Sequence, residues 1–150
     1  MSLVTITHNI PQAQQGLATL ARKAGTIKPA LKTIGETLVN STRDRWDKEV
    51  DPQGNKWQAL KASTLKRKAK KKKSLKILLQ DDHLRFNINP QVEENSLIVG
   101  SPEKYAAVHQ LGGPAGRKGR QFHMPARPFL GISKQDEADI LDDITQHLKF

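Results

Sequence analysis

The chain has 150 residues, 36% of them hydrophobic and 5% aromatic, with no cysteine and a formal net charge of +10. That size fits one compact domain with a small, mainly aliphatic core. The missing cysteines exclude disulfides, thiol catalysis and cysteine-ligated metal centres, and no stretch approaches the roughly 18–20 apolar residues of a membrane-spanning helix.

In chain order, Leu3-Val4-Thr5-Ile6-Thr7 alternates as a strand does and lacks the basic and apolar regions of a signal peptide, so a soluble cytoplasmic product is expected. Ala13, Leu17, Leu20, Ala21 and Ala24 recur at helical spacing and predict a helix starting near Pro11. Gly25 separates it from a longer helix, about Pro29 to Val50, with Ala30, Leu31, Ile34, Leu38 and Trp46 on its apolar stripe. Asp51-Pro52-Gln53-Gly54-Asn55 then makes a tight turn that aims Trp57 back at the core.

Residues 61–76 hold nine basic residues and no acid, so this window supplies +9 of the +10. Its helix formers have too few apolar neighbours to anchor them, which predicts a flexible basic segment with Lys70 to Lys73 exposed or disordered. Leu84, Phe86 and Ile88 alternate with polar residues, and Leu97 and Val99 follow after Pro90 and a polar bend: an antiparallel hairpin with one buried face. Ser101-Pro102 with Glu103 is expected to cap a short helix, Tyr105 to Leu111, which Gly112-Gly113 stops.

Four glycines loosen Gly112 to Met124, which reads as a flexible loop over residues 112–124 carrying Arg117, Lys118 and Arg120. Pro125-Ala126-Arg127-Pro128-Phe129-Leu130-Gly131 follows as a stiff extended strut, because each proline fixes its own φ and biases its predecessor away from the helical region. Ser133 and Asp136 resemble a capping box at the head of a terminal helix with Ile140, Leu141, Ile144 and Leu148 on one stripe. The whole reads as one α+β domain over residues 1–150: N-terminal helices on a small antiparallel sheet, then a C-terminal helix.

The basic patch, Lys66, Arg67, Lys68, Lys70, Lys71, Lys72, Lys73 and Lys76, suits either a solvated face or contact with phosphates or an acidic protein surface. Phosphate contact would be salt-dependent with little sequence choice. Trp57 is the only ring within roughly a dozen residues, which argues against stacking on single strands. His8, His83, His109, His123 and His147 form no i, i+4 pair, so no metal site is expected. No glycine-framed nucleophile turn surrounds any serine, so Ser101 and His109 with a distant aspartate are not expected to form a hydrolytic triad. His109 is expected instead to hold the following turn by a hydrogen bond, with Tyr105 packed on its face.

Phe129 and Leu130 suit either the core or a contact, and Arg127 is expected to face a carboxylate. The candidate contact between copies sets Arg117, Lys118, Arg120, Arg127 and Phe129 of one against Asp136, Asp139 and Asp143 of the next. Such a head-to-tail contact closes into a ring when the rotation allows it.

Ile34-Gly35-Glu36, Pro52-Gln53-Gly54 with Trp57, Thr64, Leu78-Leu79, Val99-Gly100-Ser101, Tyr105-Ala106, His109-Gln110-x-Gly112 and Pro125 to Gly131, in this order, resemble the virion morphogenesis, or tail-completion, proteins of Mu-like tailed phages and prophages. These landmarks span residues 34–131, and the similarity covers most of the chain. The resemblance implies a non-enzymatic structural protein with no cofactor, acting at the tail end or head-tail junction. It implies a fold similar to tail-terminator and head-tail-joining proteins, a virion component assembled in the host cytoplasm, and no membrane. It also implies a homo-oligomer, with a ring open to it, and other tail or head-tail connector proteins as partners; nucleic acid is allowed but not required. Pro52, Gly54, Trp57, Tyr105, His109, Gly112, Pro125, Arg127, Pro128 and Phe129 carry over as structural positions. The lysine run has no place in that pattern, which leaves DNA binding through residues 61–76 as the alternative.

Overall fold

A computed structural model describes residues 10–79 and 83–149. The expected strand Leu3–Thr7 and His8 lie outside the described residues. Helix α1 (Pro11–Ala24) begins on its proline and ends at Gly25, whose φ of +78° returns its N–H to Ala21 O at 2.9 Å. Ala13 and Leu20 are buried and Leu17 half-buried, but Ala21 and Ala24 face solvent, so the apolar stripe is narrower than its spacing suggested.

Helix α2 (Lys28–Lys48) is the spine of the molecule. Toward its start, Ala30, Leu31 and Ile34 pack with Leu20 and Ile27, and with Ile140 and Ile144 of the terminal helix α6 (Lys134–Leu148). Helix α1 lies against α6 closely enough that a Cβ on Gly16 would sit 2.7 Å from Ile144 Cγ2. Helix α6 opens with a complete capping box, Ser133 Oγ accepting from Asp136 N at 3.0 Å and Asp136 Oδ2 from Ser133 N at 2.9 Å.

The hairpin pairs β1 (Asn89–Val92) with β2 (Leu97–Gly100), Pro90 opposite Val99 and Val92 opposite Leu97. It packs on α2 at Gly35, where an added Cβ would lie 2.8 Å from Pro90 Cβ. Its first arm starts later than expected. Leu84, Phe86 and Ile88 are not a strand: residues His83–Phe86 form a helical turn, α4, and Leu84 and Ile88 are buried together while Phe86 is exposed. A spacing of four serves a helical turn as well as a strand. Pro90, read as the end of the arm, sits inside β1, where a two-stranded sheet leaves room for a residue without an N–H.

At the far end of α2, Val39 and Trp46 join Trp57, Ile77, Leu84, Ile88, Ala106 and Phe129 in the main core. Pro52 is buried and Gly54 has φ +87° in the turn that returns Trp57 to this cluster. The basic segment contains helix α3 (Ala62–Lys70). Helix α5 (Ala106–Leu111) begins without a side-chain cap; Ser101 Oγ instead accepts from Glu103 N in the preceding turn, so the expected cap serves that turn. Between residues 112 and 124 two short strands, β3 (Gly113–Ala115) and β4 (Phe122–Met124), pair antiparallel, a hairpin the sequence reading missed among its glycines. The molecule is thus α+β, with six helices and two small antiparallel sheets among the described residues.

Candidate functional site

The strut from Pro125 to Gly131 is held from four sides. Trp57 Nε1 donates to Pro128 O at 2.8 Å. The Gln110 amide runs alongside as a peptide group would: its Oε1 accepts from Phe129 N at 3.0 Å and Leu130 N at 2.9 Å, and its Nε2 donates to Leu130 O at 3.0 Å. Arg127 N donates to His109 O at 2.7 Å. Arg45, rising from α2, donates to Phe129 O and Gly131 O at 3.3 and 3.2 Å, and pairs with Asp136 Oδ2 at 2.9 Å. Asp136 also accepts from Ser41 Oγ. Buried polar groups need such partners, since each left unmade costs about 1–3 kcal/mol.

Phe129, fully buried, packs against Trp46 with ring centroids 4.9 Å apart, and Trp46 meets Trp57 edge-on at 5.4 Å. Trp46 Nε1 reaches Leu78 O at 3.2 Å. At the ends of the strut, Gly112 (φ +72°) lets the backbone approach so closely that a Cβ would lie 2.8 Å from Ala126 N. Gly131, at φ +150°, is pressed against Pro52.

Beside the strut opens a groove of about 1040 Å³ between residues 58–61, α3, Leu78–Leu79, α5 and β4. Its walls are apolar at Leu60, Leu78, Leu79, Leu84 and Met124, with Phe122 and Tyr105 at exposed positions. Among the described residues its charged lining is basic, Lys61, Arg67, Lys68 and Arg127, with His109 and His123 beside them. Lys68 is buried and donates to Lys76 O at 2.6 Å. Burial lowers its ammonium pKa; Glu49 pulls it back up and Arg127 adds to the lowering. The Arg127 guanidinium donates to Gln58 O at 2.9 Å and Ala59 O at 3.4 Å. Burial also holds His109 below the usual imidazole range, with Arg127 reinforcing the shift. The arrangement favours an incoming negative charge accompanied by apolar surface.

Several expected contacts are resolved differently. Arg127 is 5% exposed and bonds to backbone carbonyls, not to a carboxylate; its fork geometry lets one guanidinium hold two successive carbonyls of one segment. Phe129 belongs to the core, and Asp136 is committed to Arg45 and the α6 cap, so the acidic face proposed across a subunit contact lacks its first member. Asp139 and Asp143 are half-buried and accept from Gln135 and Thr37. Arg117, Lys118 and Arg120 are exposed on the connection between β3 and β4.

Within the basic patch, Lys66, Arg67, Lys70, Lys71, Lys72 and Lys76 are exposed, but Lys68 is buried and Lys73 half-buried, because the turn after α3 folds back over them. His109 holds its turn through its backbone carbonyl, not its ring; Nδ1 is buried with no hydrogen-bond partner among the described residues. Tyr105 packs on it edge-on at 5.9 Å, as its spacing implied. The sequence reading missed Arg45 and Gln110 as clamps. Gln110 lies in His109-Gln110-x-Gly112, whose glycine marks the close backbone approach.

The model of the phage virion morphogenesis family matches residues 8–149. Mu-like prophage FluMu G protein 2 of Haemophilus influenzae is 32% identical over 142 residues, 95% of this chain and 93% of that protein. Putative capsid assembly protein G of Escherichia phage Mu is 30% identical over 119 residues, covering 78% and 76% of the two chains. No solved structure matches.

Proposed function

The chain belongs to the phage virion morphogenesis family, and from that premise we propose that it is a structural, non-enzymatic component of the virion. In this reading it acts in tail completion or head-tail joining, assembled in the host cytoplasm through self-association and contacts with other virion proteins. One observation carries this. Three polar side chains of its motifs, those of Trp57, Gln110 and Arg127, are spent on main-chain atoms and fix a rigid frame. What faces outward is a basic groove and a basic hairpin connection, surfaces for contact.

The test is electron microscopy of lysates after removing this chain from the phage or prophage genome that encodes it. Filled heads accumulating beside unjoined tails are the expected result. Normal tailed particles would overturn an assembly role, and absent heads would move that role from tail completion to capsid assembly, the step named for the phage Mu relative.

A second reading, contact with DNA phosphates, is favoured by the exposed Lys66, Arg67, Lys70, Lys71 and Lys72 on one short stretch. Filter binding that is salt-dependent and weakens when Lys70 to Lys72 become glutamine supports it; undiminished affinity removes it.

A further inference from the structure

Resting on the self-association proposed above, we propose that the groove receives the acidic turn between β1 and β2 of a second copy of this chain. The groove asks for carboxylate next to apolar surface. Most exposed large apolar side chains cannot supply that pairing: Leu65, Leu75 and Leu111 have no acid close by in sequence, Phe122 and Tyr105 already line the groove, and Phe86 lies against the guanidinium groups of Arg43 and Arg85. Ile98 remains. It is 51% exposed on the outer face of the hairpin, opposite Gln91, and the turn beside it carries exposed Glu93 and Glu94. Glu94 reaches Lys28 at 2.8 Å, but both side chains are largely exposed, and a pair of that kind is weak enough to exchange partners.

The two surfaces sit at opposite ends of α2. Lys28, its first residue, holds the acidic turn; Trp46, near its end, bonds Leu78 in the groove wall. At about 1.5 Å of rise per residue they are roughly 27 Å apart along the helix. Two different surfaces at opposite ends of one subunit make a heterologous contact, which repeats from copy to copy and closes into a ring when the rotation permits.

The test is sedimentation velocity at low salt with two charge reversals, Glu93→Lys/Glu94→Lys in the turn and Lys61→Glu/Arg67→Glu in the groove. Wild type is expected to associate, and each variant alone to weaken by about a hundredfold or more, the scale of like charges set against each other across an interface. Mixed, the two variants should associate again, because the intact groove of one meets the intact turn of the other and the two reversed surfaces are themselves opposite in charge. Ile98→Ser and Phe122→Ser, both at exposed positions, provide the same two arms should a charge reversal unfold the chain. Wild-type association that survives both arms overturns this contact while leaving self-association standing, and a wild type that stays monomeric overturns it as well. Unjoined tails in the lysate would then still support the assembly role, so the two readings fail separately.

Discussion

Between Arg127 and Gly131 every residue has a backbone N–H or C=O bonded to another part of the chain: to His109, Trp57, Gln110 or Arg45. Along residues 61–76 the backbone bonds, such as Lys71 N to Arg67 O and Lys73 N to Lys68 O, are local, and of the nine basic residues one, Lys68, is buried. The strut has almost no charge and sets the architecture; the arm has nearly all the net charge and little of the core. Charge is therefore a poor guide to where this fold is held together.

Substitutions in the two regions should separate sharply. Phe129→Ala leaves a cavity beside Trp46 and is expected to cost about 3–5 kcal/mol in urea unfolding; a loss under about 1 kcal/mol would mean the strut is not the centre of the core. Asp136→Ala strands the buried Arg45 and removes half a capping box, for a comparable loss of about 3–5 kcal/mol, read by thermal unfolding.

His109 gives a smaller, pH-dependent effect. Its folded pKa lies below the ordinary 6.5, so the unfolded chain takes up the proton first. The stability it contributes is present above about pH 6.5 and is lost as pH falls through the lowered value. His109→Gln should flatten that part of a stability-against-pH curve, and an unchanged slope would place the titration elsewhere. Smallest of all, Lys70, Lys71 and Lys72 changed together to glutamine should move stability by less than about 0.5 kcal/mol. A large loss there would erase the contrast between strut and arm.

Much of the helical frame was legible from residues alone. Pro11, Gly25 and the Ser133–Asp136 box mark helix ends by local chemistry, which needs no tertiary context. The α2 stripe also holds, with Ala30, Leu31, Ile34 and Trp46 buried and Leu38 half-buried. The misread places depend on long-range partners. Leu84 and Ile88 could be assigned to a turn only once both meet the same core. Arg127 reads as a surface cation until the carbonyls of Gln58 and Ala59 are brought to it across nearly half the chain. The groove was not legible at all, because its walls come from five separate stretches.

The placement of Gln110 has one more effect. An extended segment such as the strut presents a row of amide and carbonyl groups that a strand from any neighbouring chain could extend into a continuous sheet. By bonding Phe129 N, Leu130 N and Leu130 O with a single side chain, Gln110 occupies that edge from within. Open-ended sheet growth is blocked at this point, which leaves side-chain shape and charge as the means by which another chain would recognise this one.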